Sequence, residues 1–149
     1  MWPALFTLTN GIAVMGWIAL IAMPYSARLR SVVIYGAVGL LCLCYAAFLA
    51  VLLSGGAGDA GGMSEYSITG IRELLASDGG IVLGWTHYLA FDLFVGIWIA
   101  SDADHKDFSR AVLTPVLVFT FLVGPVGLLC WLVVRERRAR AVARAAGHR

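Results

Sequence analysis

Apolar residues run along this chain in four long blocks, separated by short polar or glycine-rich stretches. The blocks cover about residues 2–23, 31–53, 80–101 and 111–134. Each reaches roughly the 20 residues a helix needs to cross about 30 Å of hydrocarbon. The pattern predicts an all-α, polytopic membrane protein with four transmembrane helices. Between the second and third blocks, Ile68, Ile71, Leu74 and Leu75 recur at spacings of three and four. That periodicity predicts a short amphipathic helix on the membrane surface or capping the bundle. Residues 135–149 follow the fourth block as a basic tail.

Polar residues inside the blocks carry more information than the apolar ones. The third block, Gly80 to Ala100, holds His87 and Asp92 well inside its ends. A carboxylate near the middle of a membrane helix costs about 2.5–3.5 kcal/mol on insertion scales, so it normally faces a partner or a cavity. At 100° per residue, His87, Trp98, Phe91, Val95, Tyr88 and Asp92 fall on one face, with His87 and Asp92 about 140° apart at its two edges. Tyr88 stands one turn from Asp92, within i,i+4 reach. The wheel puts His87, Tyr88 and Asp92 within reach of a single ligand. In the first block, Asn10 and Trp17 are seven residues apart and share a face. Asn10 either hydrogen-bonds between helices or lines a site. A mutual bonding of His87, Asp92 and Asn10 across helices is the structural alternative to a reactive site.

Glycine and proline shape the remaining blocks. Gly36, Gly39, Gly124 and Gly127 permit close helix pairing, within one chain or between copies, which leaves a homo-oligomer open. Pro125 lies in the middle of the fourth block, where it frees a carbonyl and kinks the helix.

Composition agrees with the pattern. Hydrophobic residues make up 60% of the chain and charged ones 13%, with a mean hydropathy of +0.86. A soluble domain is nearer half apolar and a quarter charged. Six arginines crowd residues 135–149. Directly after a membrane block they point to the cytoplasmic face and anionic lipid rather than to nucleic acid. Four spans would put both termini on one side with Arg72, seven basic residues against four. This predicts cytoplasmic termini, and the Ala/Arg-rich tail suggests a bacterial inner membrane. The first block has no basic leader and exceeds a signal peptide's apolar core, so it is expected to be retained. Cys42, Cys44 and Cys130 read as packing residues. One membrane histidine argues against a di-iron or bis-histidine haem site. Asp102, Asp104, His105 and Asp107 lack calcium-loop spacing and read as a solvated loop. No metal and no cofactor is expected.

The chain resembles the abscisic-acid-deficient-4-like family, whose plastid members are called neoxanthin synthases. The resemblance rests on Thr9-Asn10 with Gly16-Trp17 and Pro24, and above all on the string Gly84-Trp-Thr-His-Tyr-Leu-Ala-Phe-Asp-Leu-Phe-Val-Gly96 with Trp98. Pro115, Gly124-Pro-Val-Gly-Leu-Leu129 and Arg135 complete it. It implies a four-helix membrane protein acting on a carotenoid or related isoprenoid. In the plastid members the implied reaction is a redox-neutral isomerisation of an epoxide to an allene. An acid protonates the epoxide oxygen while a base removes a proton from the polyene.

Carboxyl and imidazole groups are suited to such transfers near neutral pH once they are taken out of water. His87, Asp92 and Tyr88 are therefore the candidate catalytic residues. Asn10, Trp17, Trp85, Phe91 and Trp98 are the candidate substrate-binding residues. The expected partners are the membrane and an apolar polyene or lipid. The alternatives are a non-enzymatic carotenoid- or lipid-binding accessory protein, and a small proton-coupled transporter.

Overall fold

The computed structural model describes residues 1–55 and 67–146, except the side chains of residues 139 and 141–146. Most of the expected glycine-rich run, and the last three residues of the basic tail, lie outside the described residues. Every described element is helical.

Helix α1 (Trp2–Ala22) carries Pro3 in its first turn, where a missing N–H costs little, and stops two residues before Pro24. Helix α2 (Ala27–Leu53) begins at Ser26, whose hydroxyl accepts from the Leu29 N–H at 3.3 Å, and contains a π-helical stretch at Val33–Val38. Helix α3 (Ile68–Leu74) is the expected short amphipathic helix, capped by Ser67. Ile68 and Ile71 point outward rather than onto the bundle, as an interfacial helix requires. Helix α4 (Asp78–His105), capped by Ser77, is the longest at 28 residues.

Helices α1, α2 and α4 are long and apolar enough to cross a membrane. Helices α1 and α4 run parallel, because Trp2 lies against Gly79, Asn10 meets Trp85, and Gly16 faces Leu93. Gly96 is needed for this pairing, since a Cβ there would sit 2.5 Å from the Trp17 ring. Helix α2 runs the other way, with Leu52 beside Gly79, Tyr45 beside His87, and Arg30 paired with Asp104.

The fourth block departs from expectation. It is two helices, α5 (Arg110–Val123) and α6 (Pro125–Ala146), broken at Gly124 with φ +21°. In a continuous helix, the Pro125 ring would clash with the carbonyl four residues back and lose a backbone hydrogen bond. Here Pro125 instead takes the first position of a new helix, which suits it.

The new helix doubles back. A Cβ on Gly127 would lie 2.3 Å from the Thr120 nitrogen, so the two helices touch beside the turn. Further along, Trp131 packs edge-on to Phe108 at 4.8 Å, and the Arg138 guanidinium lies 4.4 Å over the same Phe108 ring. A single straight helix would separate residues 108 and 131 by about 35 Å. The span expected over 111–134 is therefore a helical hairpin. Residues 135–146 continue α6 without a break, so the expected tail is no separate unit up to that point. The hairpin also carries α6 to the end of the bundle opposite Trp2. Placing both termini at one end depended on a continuous fourth span and fails with it.

A polar cluster fixes the hairpin. Asp102 accepts from Trp131 Nε1 at 3.1 Å and forms ion pairs with Arg135, whose Nε lies 3.0 Å away, and with Lys106. Arg30 joins Asp104 at 2.7 Å and the Pro24 carbonyl at 2.7 Å. Tyr25 donates to the Phe108 carbonyl at 2.5 Å. Burial and the nearby Asp104 raise the Tyr25 pKa, with Arg110 opposing, so this phenol keeps the proton it donates. The acidic stretch expected as a solvated loop is thus largely the last turn of α4 and the seat of the hairpin. Asp102→Asn, which removes the charge from these bonds, should lower stability by about 2 kcal/mol. Thermal melts of the purified protein check this. An unchanged melting temperature would mean that apolar packing alone seats α6.

Candidate functional site

Asp92 stands at the midpoint of α4, roughly 20 Å from either end of that helix. The tip of the hairpin meets it there: a Cβ on Gly124 would lie 2.6 and 2.7 Å from the two Asp92 carboxyl oxygens. Asp92 Oδ2 is buried and has no hydrogen-bond partner among the described residues. A buried polar atom without a partner is expensive and calls for an explanation. On the side toward Asp102 there is no room, because Leu93, Leu117, Thr120 and Trp131 are fully buried.

On the other side the hairpin is absent, and a stripe of aromatic and polar groups lies open across α1 and α4. Tyr88, one turn before Asp92, is its polar neighbour. The Trp85 ring follows, with its centroid 5.4 Å from that of Tyr88. Trp85 Nε1 donates to Asn10 Oδ1 at 3.1 Å, and Asn10 Nδ2 donates to the Phe6 carbonyl at 2.7 Å. Phe6 completes the stripe 5.9 Å from Trp85. Beyond it, Trp2, Phe6, Thr7, Asp78 and Ile81 line a groove of about 290 Å³ that opens at the end of the bundle. Asp92 forms the inner end of this path.

The fold therefore gathers four of the eight expected residues: Asn10, Trp85, Tyr88 and Asp92. The other four lie elsewhere. His87 stacks on Phe91 at 4.6 Å and meets Tyr45 of α2 edge-on at 5.6 Å, on the opposite flank of α4. A ligand bridging His87, Tyr88 and Asp92 is not what this packing offers, since α2 borders His87 and the hairpin borders Asp92. Neither does the expected alternative of mutual bonding form, because Asn10 bonds to Trp85. Trp17 is 2% exposed, wedged against Gly96 and 5.6 Å from Phe121. It is core behind the site rather than its lining. Trp98 lies toward the hairpin's seat, with the Arg135 guanidinium 5.9 Å from its ring. Phe6 and Gly124 join the site without having been singled out for it. Phe6 was legible as the residue one turn before Asn10, and Gly124-Pro125 as a break within an apolar block.

Among the described residues no three His, Cys, Asp or Glu side chains group as a metal site. What the arrangement provides is a carboxyl with a buried, unpartnered oxygen at the inner end of an aromatic path, with a phenol beside it. An apolar ligand with a few oxygen atoms suits such walls. The Asn10–Trp85 bond orients the path. Asn10→Ala should cost about 0.6–2 kcal/mol, the range for interhelical bonds in membranes. The shift in melting temperature measures it, and Trp85→Phe should give a similar value if the shared bond is the cause.

A family model described as ABA4-like (ABA DEFICIENT 4-like) matches residues 4–131. The match takes in α1, α2, α4, α5 and the turn at Gly124, with all four gathered residues inside it. No curated protein and no solved structure matches this chain.

Proposed function

We infer a function from one premise: this chain belongs to the ABA4-like (ABA DEFICIENT 4-like) family. It is a membrane protein related to the neoxanthin synthases. Helices α1, α2 and α4 cross the bilayer. The α5–α6 hairpin enters from one face and turns back at mid-depth, beside Asp92. Irregular backbone at that depth is tolerated only where it is enclosed by protein or lines a cavity. The turn at Gly124 meets this condition by packing on α4.

The protein acts on a carotenoid or related isoprenoid by moving protons without redox chemistry. The apolar body lies along Phe6 and Trp85, and an oxygen-bearing group reaches Asp92. The Asp92 carboxyl gives its proton to that oxygen as the C–O bond breaks. The carboxylate left behind takes up the proton lost from carbon, so the net proton count is unchanged and Asp92 ends as it began. Tyr88 orients that oxygen, and Asn10, held by Trp85, orients the path along which the apolar body lies. One observation carries this reading: an unpartnered carboxyl oxygen, buried at the middle of the longest span, at the inner end of an aromatic path.

The test is the pigment profile of a carotenoid-producing host that expresses the wild-type chain or Asp92→Asn, with mass spectrometry of what copurifies. A changed profile that requires Asp92 supports the reading. A purified protein that stays coloured while the wild type alters no pigment would make it a binding protein instead.

A further inference from the structure

The hairpin gathers positive charge at one end of the bundle. Among the described side chains, eight Lys and Arg stand there against four Asp and Glu. At the opposite end, among the described side chains, Arg72 is the one basic side chain, against Glu73 and Asp78. Three of the four carboxylates at the basic end are occupied: Asp102 by Arg135 and Lys106, Asp104 by Arg30, and Glu136 by Arg140. Arg110 donates to the Ile21 and Ala22 carbonyls, and Arg138 lies on Phe108. Arg28, in the first turn of α2, and Arg137, on α6, are exposed and have no acidic partner among the described residues.

Uncompensated guanidinium groups at the rim of an apolar bundle sit at the depth of lipid phosphates. A planar guanidinium matches a phosphate with two parallel hydrogen bonds. Anionic lipid and the positive-inside bias both belong to the cytoplasmic leaflet.

We propose that the basic end of the bundle is a docking surface for anionic phospholipid, with Arg28 and Arg137 as headgroup contacts, and that it holds α6 on the cytoplasmic side. This rests on the membrane reading above. It reverses the sidedness expected of the amino-terminal end, which then faces away from the cytoplasm together with α3.

The experiment has two arms. In the first, the full chain in detergent is melted with phosphatidylglycerol, phosphatidylcholine or inorganic phosphate. Phosphatidylglycerol should raise the melting temperature by several degrees, and the other two should not. The double variant Arg28→Gln/Arg137→Gln should lose most of that gain while melting normally without lipid. Equal shifts from the two lipids, or a full gain in the double variant, would overturn the proposal. In the second arm, intact bacteria carry either a fluorescent protein after the last residue or alkaline phosphatase after residue 55. Fluorescence and phosphatase activity are both expected. Reporters reading the same side would refute the orientation, whereas fusions absent from the membrane fraction would refute the membrane reading itself.

Discussion

Replacing Asp92 by Asn is expected to lower pigment conversion by about 10²–10⁴-fold, the usual contribution of a positioned acid or base. The substitution keeps the shape of the side chain and removes only its ability to carry a proton and a charge. It should not weaken the fold. Asp92 Oδ2 makes no hydrogen bond among the described residues, so no described bond to that atom is lost. A carboxyl with one buried oxygen left unpartnered is costlier to bury than an amide, which predicts an equal or higher melting temperature. Loss of activity with retained stability separates a chemical role from a structural one. His87→Ala supplies the contrast. Its ring stacks on Phe91 against α2, away from the hairpin tip, so conversion should stay within a few-fold of wild type. Comparable losses in both variants would place the chemistry on the flank of α4 that carries His87. Conversion unaffected by Asp92→Asn would remove Asp92 from the reaction.

The contrast between Asp92 and His87 marks how far the chain could be read before its fold was known. The long helices were legible because apolar length alone decides them, and α1, α2 and α4 begin and end close to where the blocks do. The pairing of Tyr88 with Asp92 was legible because it lies within one helix. A helical wheel gives angles but not neighbours, so it cannot say that α2 covers one edge of the face and the hairpin the other. Trp17 illustrates the same limit. An aromatic ring reads alike as lining or as core, and its burial depends on the missing side chain of Gly96 across the interface. The hairpin was the hardest feature to read. Hydropathy over 111–134 is the same whether a helix crosses or turns back, and Gly124-Pro125 announces a break without giving its direction. The direction is set by tertiary contacts, with Trp131 and Arg135 reaching Asp102, and Arg138 covering Phe108. The small-residue pattern was legible only in part for a similar reason. Gly124 and Gly127 make close approaches within the chain, as do Gly16 and Gly96, whereas a Cβ on Gly36 would meet nothing within 4 Å.

The second large effect is expected at the hairpin tip. Gly124 holds a positive φ that side chains rarely adopt, and the space where its Cβ would stand is filled by the Asp92 carboxyl. Gly124→Val meets both obstacles at once. Backbone strain and overpacking together should cost on the order of 3–5 kcal/mol, read as a large drop in melting temperature and loss of conversion. Such a result alone says only that the position is tight, so the pair must be tested. Gly124→Ala should be milder, and Asp92→Ser should relieve its clash by shortening the side chain that the new methyl meets. The double variant Gly124→Ala/Asp92→Ser is therefore expected to be more stable than Gly124→Ala alone, yet inactive. That coupling is the signature of direct contact between tip and carboxyl. Strictly additive melting shifts would mean that Gly124 and Asp92 are not in contact, and the hairpin would then not reach the middle of α4.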